Sequence, residues 1–134
     1  MRWQDIIDES EGFITNPFPA SKFKDVMYHG SNVEGITTFK RSAAGLWFSD
    51  LPTWGKRIYG ADAIIYPCYI DVHNPYYPSD EEIDEYYGEM DKLPPFFNEL
   101  QKQGYDAYFQ GGESGAVAVF AGAKIVNART GDPM

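Results

Sequence analysis

The chain has 134 residues, 43% hydrophobic and 23% charged, with an unusually high 16% aromatic share; it carries enough apolar side chain for one folded domain and too much for a disordered one. Twenty acids against eleven bases give a net charge of −9, which argues against non-specific nucleic-acid binding, because neutralising phosphates takes a basic surface. A single cysteine, Cys68, excludes an intramolecular disulfide framework and a cysteine-rich zinc site, and no run approaches the ~18 apolar residues of a membrane span.

In chain order, Trp3, Ile6 and Ile7 stand at i, i+3 and i+4, so residues 3–9 are expected to form a short amphipathic helix that ends before Gly12. Asn16-Pro17-Phe18-Pro19 must run extended. Residues 1–25 thus read as a strap whose aromatics pack on a main body, 26–134, within one compact domain. The start, Met-Arg-Trp-Gln-Asp, lacks a secretory apolar region, which with the lone cysteine fits a cytoplasmic protein.

Val26–His29 is a strand candidate closed by Gly30, and Leu46–Ser49 another, opened by Gly45 and closed by Asp50. Pro52 suits the first turn of a helix running through Trp54 to about Tyr59. Ala63–Val72 is the longest strand, in which Pro67 demands an edge or a bulge, and Asn74-Pro75 stops it. A helix from about Pro95 to Gln103 has Phe96, Phe97 and Leu100 on one face and Gly104 as its stop. Tyr105–Phe109 and Ala116–Phe120 are strands joined by a glycine-rich turn, and Lys124–Ala128 adds a last one. Strands with a few short helices, not in βαβ alternation, make an α+β pattern.

The charge is local. Asp80–Asp91 holds seven acids and no base, whereas Lys22–Arg57 holds six bases and three acids. The acidic stretch, interleaved with Ile83, Tyr86, Tyr87 and Met90, has helix-compatible spacing. It reads either as a solvated face or as a docking surface for a basic partner, with mimicry of nucleic acid as a third reading.

Three clusters carry chemistry: Tyr28-His29-Gly30-Ser31, Gly45-Leu46-Trp47-Phe48-Ser49-Asp50, and Gly111-Gly112-Glu113-Ser114-Gly115. The first offers an imidazole, an approachable backbone and a hydroxyl in a fixed array. The second offers an aromatic platform, and the third a carboxylate on an accessible turn. Together they suit a cationic aromatic ligand bearing hydroxyls, such as the oxidised nicotinamide of NAD. No Lys-Ser/Thr follows Gly111-Gly112, so it is not a P-loop, and the two histidines and scattered acids show no metal-ligand spacing.

In this order the motifs, over about residues 26–131, resemble the ADP-ribosyltransferase superfamily, on the side of the poly(ADP-ribose) polymerases and the small transferase domains of phage and mobile-element polyvalent proteins. His29-Gly30-Ser31 resembles the family's His-Gly-Ser/Thr, and Gly45-Leu46-Trp47-Phe48-Ser49-Asp50 its Gly-x-Tyr-Phe-x-Asp strand, with Trp47 where Tyr is usual. The Trp54–Tyr59 helix, the Ile70–Pro75 strand end, the Gly104-Tyr105-Asp106-Ala107 turn and the Phe120–Asp132 closing segment resemble further family motifs.

The resemblance implies two small, mostly antiparallel sheets packed around an NAD cleft, and mono-ADP-ribosylation of a macromolecule with release of nicotinamide. It gives NAD as substrate and no metal, a protein target rather than a nucleic acid, and a phage-encoded effector in a bacterial cytoplasm. His29 would bond the adenosine-side ribose, Gly30 the carboxamide through its backbone, and Ser31 the nicotinamide-side ribose. Tyr59 would stack on the nicotinamide, with Trp47 and Phe48 as pocket wall. The family's catalytic Glu falls on Ala116, so Glu113, three residues upstream, would be the catalytic acid beside His29. Two alternatives remain open: a catalytically inactive module acting through Asp80–Asp91, and an NAD glycohydrolase.

Overall fold

The computed structural model describes residues 12–134, so the helix expected at 3–9 lies outside the described residues. The fold is α+β, with two small sheets and a few short helices. Strands β1 (Met27–Ser31) and β2 (Leu46–Phe48) precede helix α1 (Trp54–Tyr59); β3 (Ile64–Asp71) and β4 (Pro75–Tyr76) precede α2 (Asp80–Tyr86) and α3 (Leu93–Lys102); β5 (Ala107–Gly111), β6 (Ala116–Val119) and β7 (Lys124–Asn127) follow. One sheet has the order β1-β3-β7 and the other β2-β6-β5-β4. All neighbours are antiparallel except β4 and β5, which are parallel.

The sheets share one core. Met27, Tyr66, Cys68, Ile70 and Ile125 of the first pack with Phe48, Ala107, Val117 and Val119 of the second. Successive residues of a strand face opposite ways, so Trp47 and Ala118 turn to the far side of the second sheet. There α3 lays Leu93, Phe97 and Leu100 against Tyr108 and Phe120. The helix starts two residues before the expected Pro95, because Pro94 and Pro95 both fit its first turn, where no N–H is needed.

Pro67 departs from expectation in a specific way. It lies in β3, the central strand of its sheet, at the point where the β7 ladder stops at Cys68↔Asn127. Ala128 N–H still donates to the Pro67 carbonyl at 2.9 Å. The return bond that proline cannot make is replaced by Ile14 N–H, which donates to the Ala128 carbonyl at 2.8 Å. The strap therefore completes the sheet. It is pinned again where Ser21 Oγ donates to Ile70 O at 2.6 Å and accepts from Val72 N–H at 3.1 Å, and Phe23 packs on Phe109 as expected of a strap aromatic.

After β3 the chain crosses to the second sheet over Val72–Pro75. Asp106 fixes that crossing, accepting His73 N–H at 2.7 Å and Asn74 N–H at 3.0 Å. The Tyr105-Asp106 turn is thus a joint between the sheets.

Candidate functional site

The two sheets are stitched at one rung, where Tyr28 and Ser49 exchange both backbone hydrogen bonds, at 2.8 and 2.9 Å. The next rung would join Gly30 to Trp47. It does not form, because the His29 ring enters there and its Nδ1 lies 2.8 Å from the Trp47 carbonyl. Backbone groups two residues apart point to the same edge of a strand. Gly30 therefore turns its N–H and C=O the way Tyr28 does, toward the split between β1 and β2 and away from β3. A cleft of about 420 Å³ opens at that split, and Gly30 lines it.

A carbonyl only accepts, so His29 Nδ1 carries the proton and a neutral ring leaves Nε2 as a bare acceptor. Burial holds the His29 pKa below its ordinary value, and the bond to Trp47 only partly offsets this. Phe39 and Phe48 pack on the ring at 4.9 and 5.6 Å. The sign follows: the folded protein refuses a proton that the unfolded chain accepts near pH 6.5. Stability is therefore expected to fall as pH drops from about 6.5 toward the lowered folded pKa and to level off below it. Urea unfolding across that range checks this, and His29→Gln should flatten the dependence.

Around the imidazole the walls are aromatic. Trp47 and Phe48 come from β2, Trp54 and Tyr59 from α1, and Tyr108 from β5. The opposite wall was not expected from the sequence: Ile83 and Tyr86 of α2, with Tyr87 and Met90 beyond it. The acidic segment is not apart from the site but forms one side of it. A capping box holds α2, Ser79 Oγ accepting from Glu82 N–H while Glu82 accepts from Ser79 N–H. Tyr76 Oη donates to both Glu82 oxygens at 2.7 and 2.8 Å, which holds the carboxyl below its usual range and pushes Tyr76 up to about 12. Tyr86 stacks on Phe96 of α3 at 4.5 Å, nearly parallel.

His29, Gly30, Trp47, Phe48 and Tyr59 all line the cleft as the sequence reading requires. Ser31 and Glu113 do not. Ser31 Oγ accepts from Val33 N–H at 3.0 Å and shapes the turn after β1. Glu113 is exposed at the tip of the β5–β6 turn. The three glycines of that turn do not let it swing inward, because the next residue is anchored. Ser114 is buried, and its carbonyl accepts from Ser49 Oγ and from Asp50 N–H. The Asp50 carboxylate also covers Gly115, where an added Cβ would lie 2.5 Å from it. What reaches the cleft from here is Ser114, Ala116 and Gln110. Gln110 is the extra residue of a bulge, Phe109 pairing with Val117 and Gly111 with Ala116.

Among the described residues no Asp, Glu, Lys or Arg side chain lines the cleft. Beside it stands Arg57, whose guanidinium sits 5.1 Å from the centre of the Trp54 ring. Among the described residues no group of His, Cys, Asp and Glu could hold a metal ion, and no helix is long and apolar enough to cross a membrane. The cleft can therefore take a flat aromatic group between rings, accept a hydroxyl proton at His29 Nε2, and meet an amide with a backbone donor and acceptor. Comparison of the chain with protein-family models, with curated proteins and with solved structures finds no match.

Proposed function

We propose that the cleft binds NAD by its nicotinamide end and that the protein transfers ADP-ribose to a macromolecular target, releasing nicotinamide. The observation that carries this reading is the Gly30 backbone pair, left facing the cleft by the His29 wedge between aromatic walls. A primary carboxamide is complementary to it, with its C=O on the N–H and its NH₂ on the C=O. Tyr59 and Trp47 flank the pyridinium, and His29 Nε2 accepts a ribose hydroxyl. Arg57, over the Trp54 ring, is a cation available to the pyrophosphate.

In the reaction a nucleophile forms a bond to C1′ of the nicotinamide ribose. The glycosidic C–N bond breaks, and nicotinamide leaves with the electron pair that neutralises its ring. The cleft supports this by holding both ends of the scissile bond, while the acceptor provides the nucleophile and the base. Water as acceptor makes the same cleft a glycohydrolase. Ala116, standing where a carboxylate would stabilise the oxocarbenium ion, favours a second reading: an inactive module that binds the dinucleotide or a partner without cleaving anything.

Isothermal titration with NAD, together with chromatographic assay of nicotinamide with and without a bacterial lysate, separates these. Binding that His29→Ala weakens about tenfold or more, with nicotinamide released only when lysate is present, is the expected result. Binding without release gives the second reading, release by the purified protein alone gives hydrolysis or self-modification, and no binding overturns the NAD assignment.

A further inference from the structure

The cleft's outer rim is apolar and open. Ile58 on the α1 side is 60% exposed, and Tyr87 and Met90 on the α2 side are 79% and 54% exposed. Tyr87 follows the last turn of α2 with extended backbone, and Gly88 after it has a φ of +74°. The chain turns away there and leaves the ring standing in solvent. A large aromatic, a methionine and an isoleucine exposed on two lips of one cleft form a contiguous apolar margin of the kind that marks a binding surface.

Alongside this margin α2 displays Asp80, Glu81, Asp84 and Glu85, all exposed, and Glu89 and Asp91 continue the charge. Among the described residues the one ion pair is His73 with Asp71, so no described cation pairs with any of these six. They are not loosely held either. The capping box, the Tyr76–Glu82 bonds and the Tyr86–Phe96 stack fix α2 on the second sheet and α3.

We propose that this rim docks a cationic segment of a partner protein, rich in Lys or Arg with interleaved aliphatic residues. Lys and Arg stems lie along apolar surface while their heads reach for charge, which suits Tyr87 and Met90 beside the α2 acids. The fixed negative field steers such a segment and gives it orientation. The same field repels nucleic acid, an anionic membrane and a second copy of this chain, which would bring an identical α2. The surface is separable from NAD binding through its acids, none of which lines the cleft. It sets at the mouth of the cleft the kind of chain that would carry an acceptor.

The test is fluorescence anisotropy with a short labelled peptide of repeated Lys-Leu-Arg, against one of repeated Lys-Gly-Arg. The first is expected to bind and the second to bind about tenfold more weakly. Glu81→Lys with Glu85→Lys should weaken the first peptide about tenfold or more while leaving the NAD titration unchanged, and Tyr87→Ser with Met90→Ser should weaken the first peptide by as much. Isosteric Asp84→Asn with Glu85→Gln repeats the charge test where reversal disturbs α2. His29→Ala should lose NAD and keep the peptide, so the two assignments fail independently. Equal binding of both peptides, indifference to either set of changes, or no binding at all overturns the docking surface.

Discussion

Ala116→Glu is expected to raise nicotinamide release from NAD by about two to three orders of magnitude, the usual worth of one electrostatic group placed at a developing charge. Ala116 opens β6 with its side chain in the cleft wall and is 8% exposed. The bulged Gln110, His29 and Gly30 line the same cleft. Breaking the glycosidic bond leaves positive charge on the ribose, and among the described residues no cleft-lining side chain is a carboxylate that could meet it. A glutamate at this one position supplies that charge from a rigid strand, where the exposed Glu113 does not. The substitution lowers stability, because burial disfavours the charged carboxyl, so a lower Tm is expected alongside the higher rate. Ala116→Gln, of equal size, should give no increase, and Glu113→Gln should match the wild type. Should Ala116→Glu bind NAD and release no more nicotinamide than wild type, the cleft lacks more than an acid and the binding-module reading stands.

The contrast between Glu113 and Ala116 shows where sequence reasoning reaches and where it stops. Strand positions were legible because side-chain alternation and glycine punctuation fix them locally, and His29, Trp47, Phe48 and Tyr59 duly converge. The direction of Glu113 was not legible. It depends on the Ser114 carbonyl being held by Ser49 and Asp50, about sixty-five residues earlier in the chain, and glycine content alone suggested freedom where packing imposes none. The acidic segment misled for a similar reason. Its charges advertise a solvated face, and on that face they do stand, but Ile83 and Tyr86 on the other side of the same helix close the cleft. A three-residue spacing of apolar side chains among acids was the available signal. Pro67 was read as demanding an edge or a bulge, whereas it lies in a central strand, where the strap's Ile14 takes up the Ala128 carbonyl that proline leaves without a donor.

Gly55→Ala is expected to destabilise the protein by about 1–3 kcal/mol, lowering Tm by roughly 5–10 °C. The sign makes the test sharp, since replacing glycine by alanine inside a helix ordinarily stabilises by about 1 kcal/mol. Gly55 lies in α1 against Gly30 of β1, and each leaves room only for the other. A Cβ on Gly55 would sit 2.7 Å from the Gly30 Cα and 2.8 Å from Ile65 Cδ1, and a Cβ on Gly30 would sit 2.6 Å from the Gly55 Cα. Backbone cannot yield as a flexible side-chain tip can. The helix has no buried residue of its own, so this glycine contact seats it, and Trp54 and Tyr59 reach the cleft only because it sits so close. Gly30→Ala should therefore act like Gly55→Ala, in stability and in weakening NAD binding through displacement of Tyr59, with far-ultraviolet circular dichroism unchanged. Gly122, which has no neighbouring atom within 4 Å of an added Cβ, is the control, and Gly122→Ala should leave Tm within about 1–2 °C of wild type. A Gly55→Ala protein as stable as wild type would mean that α1 does not rest on β1 through this contact, and the aromatic wall it carries would have to be held in some other way.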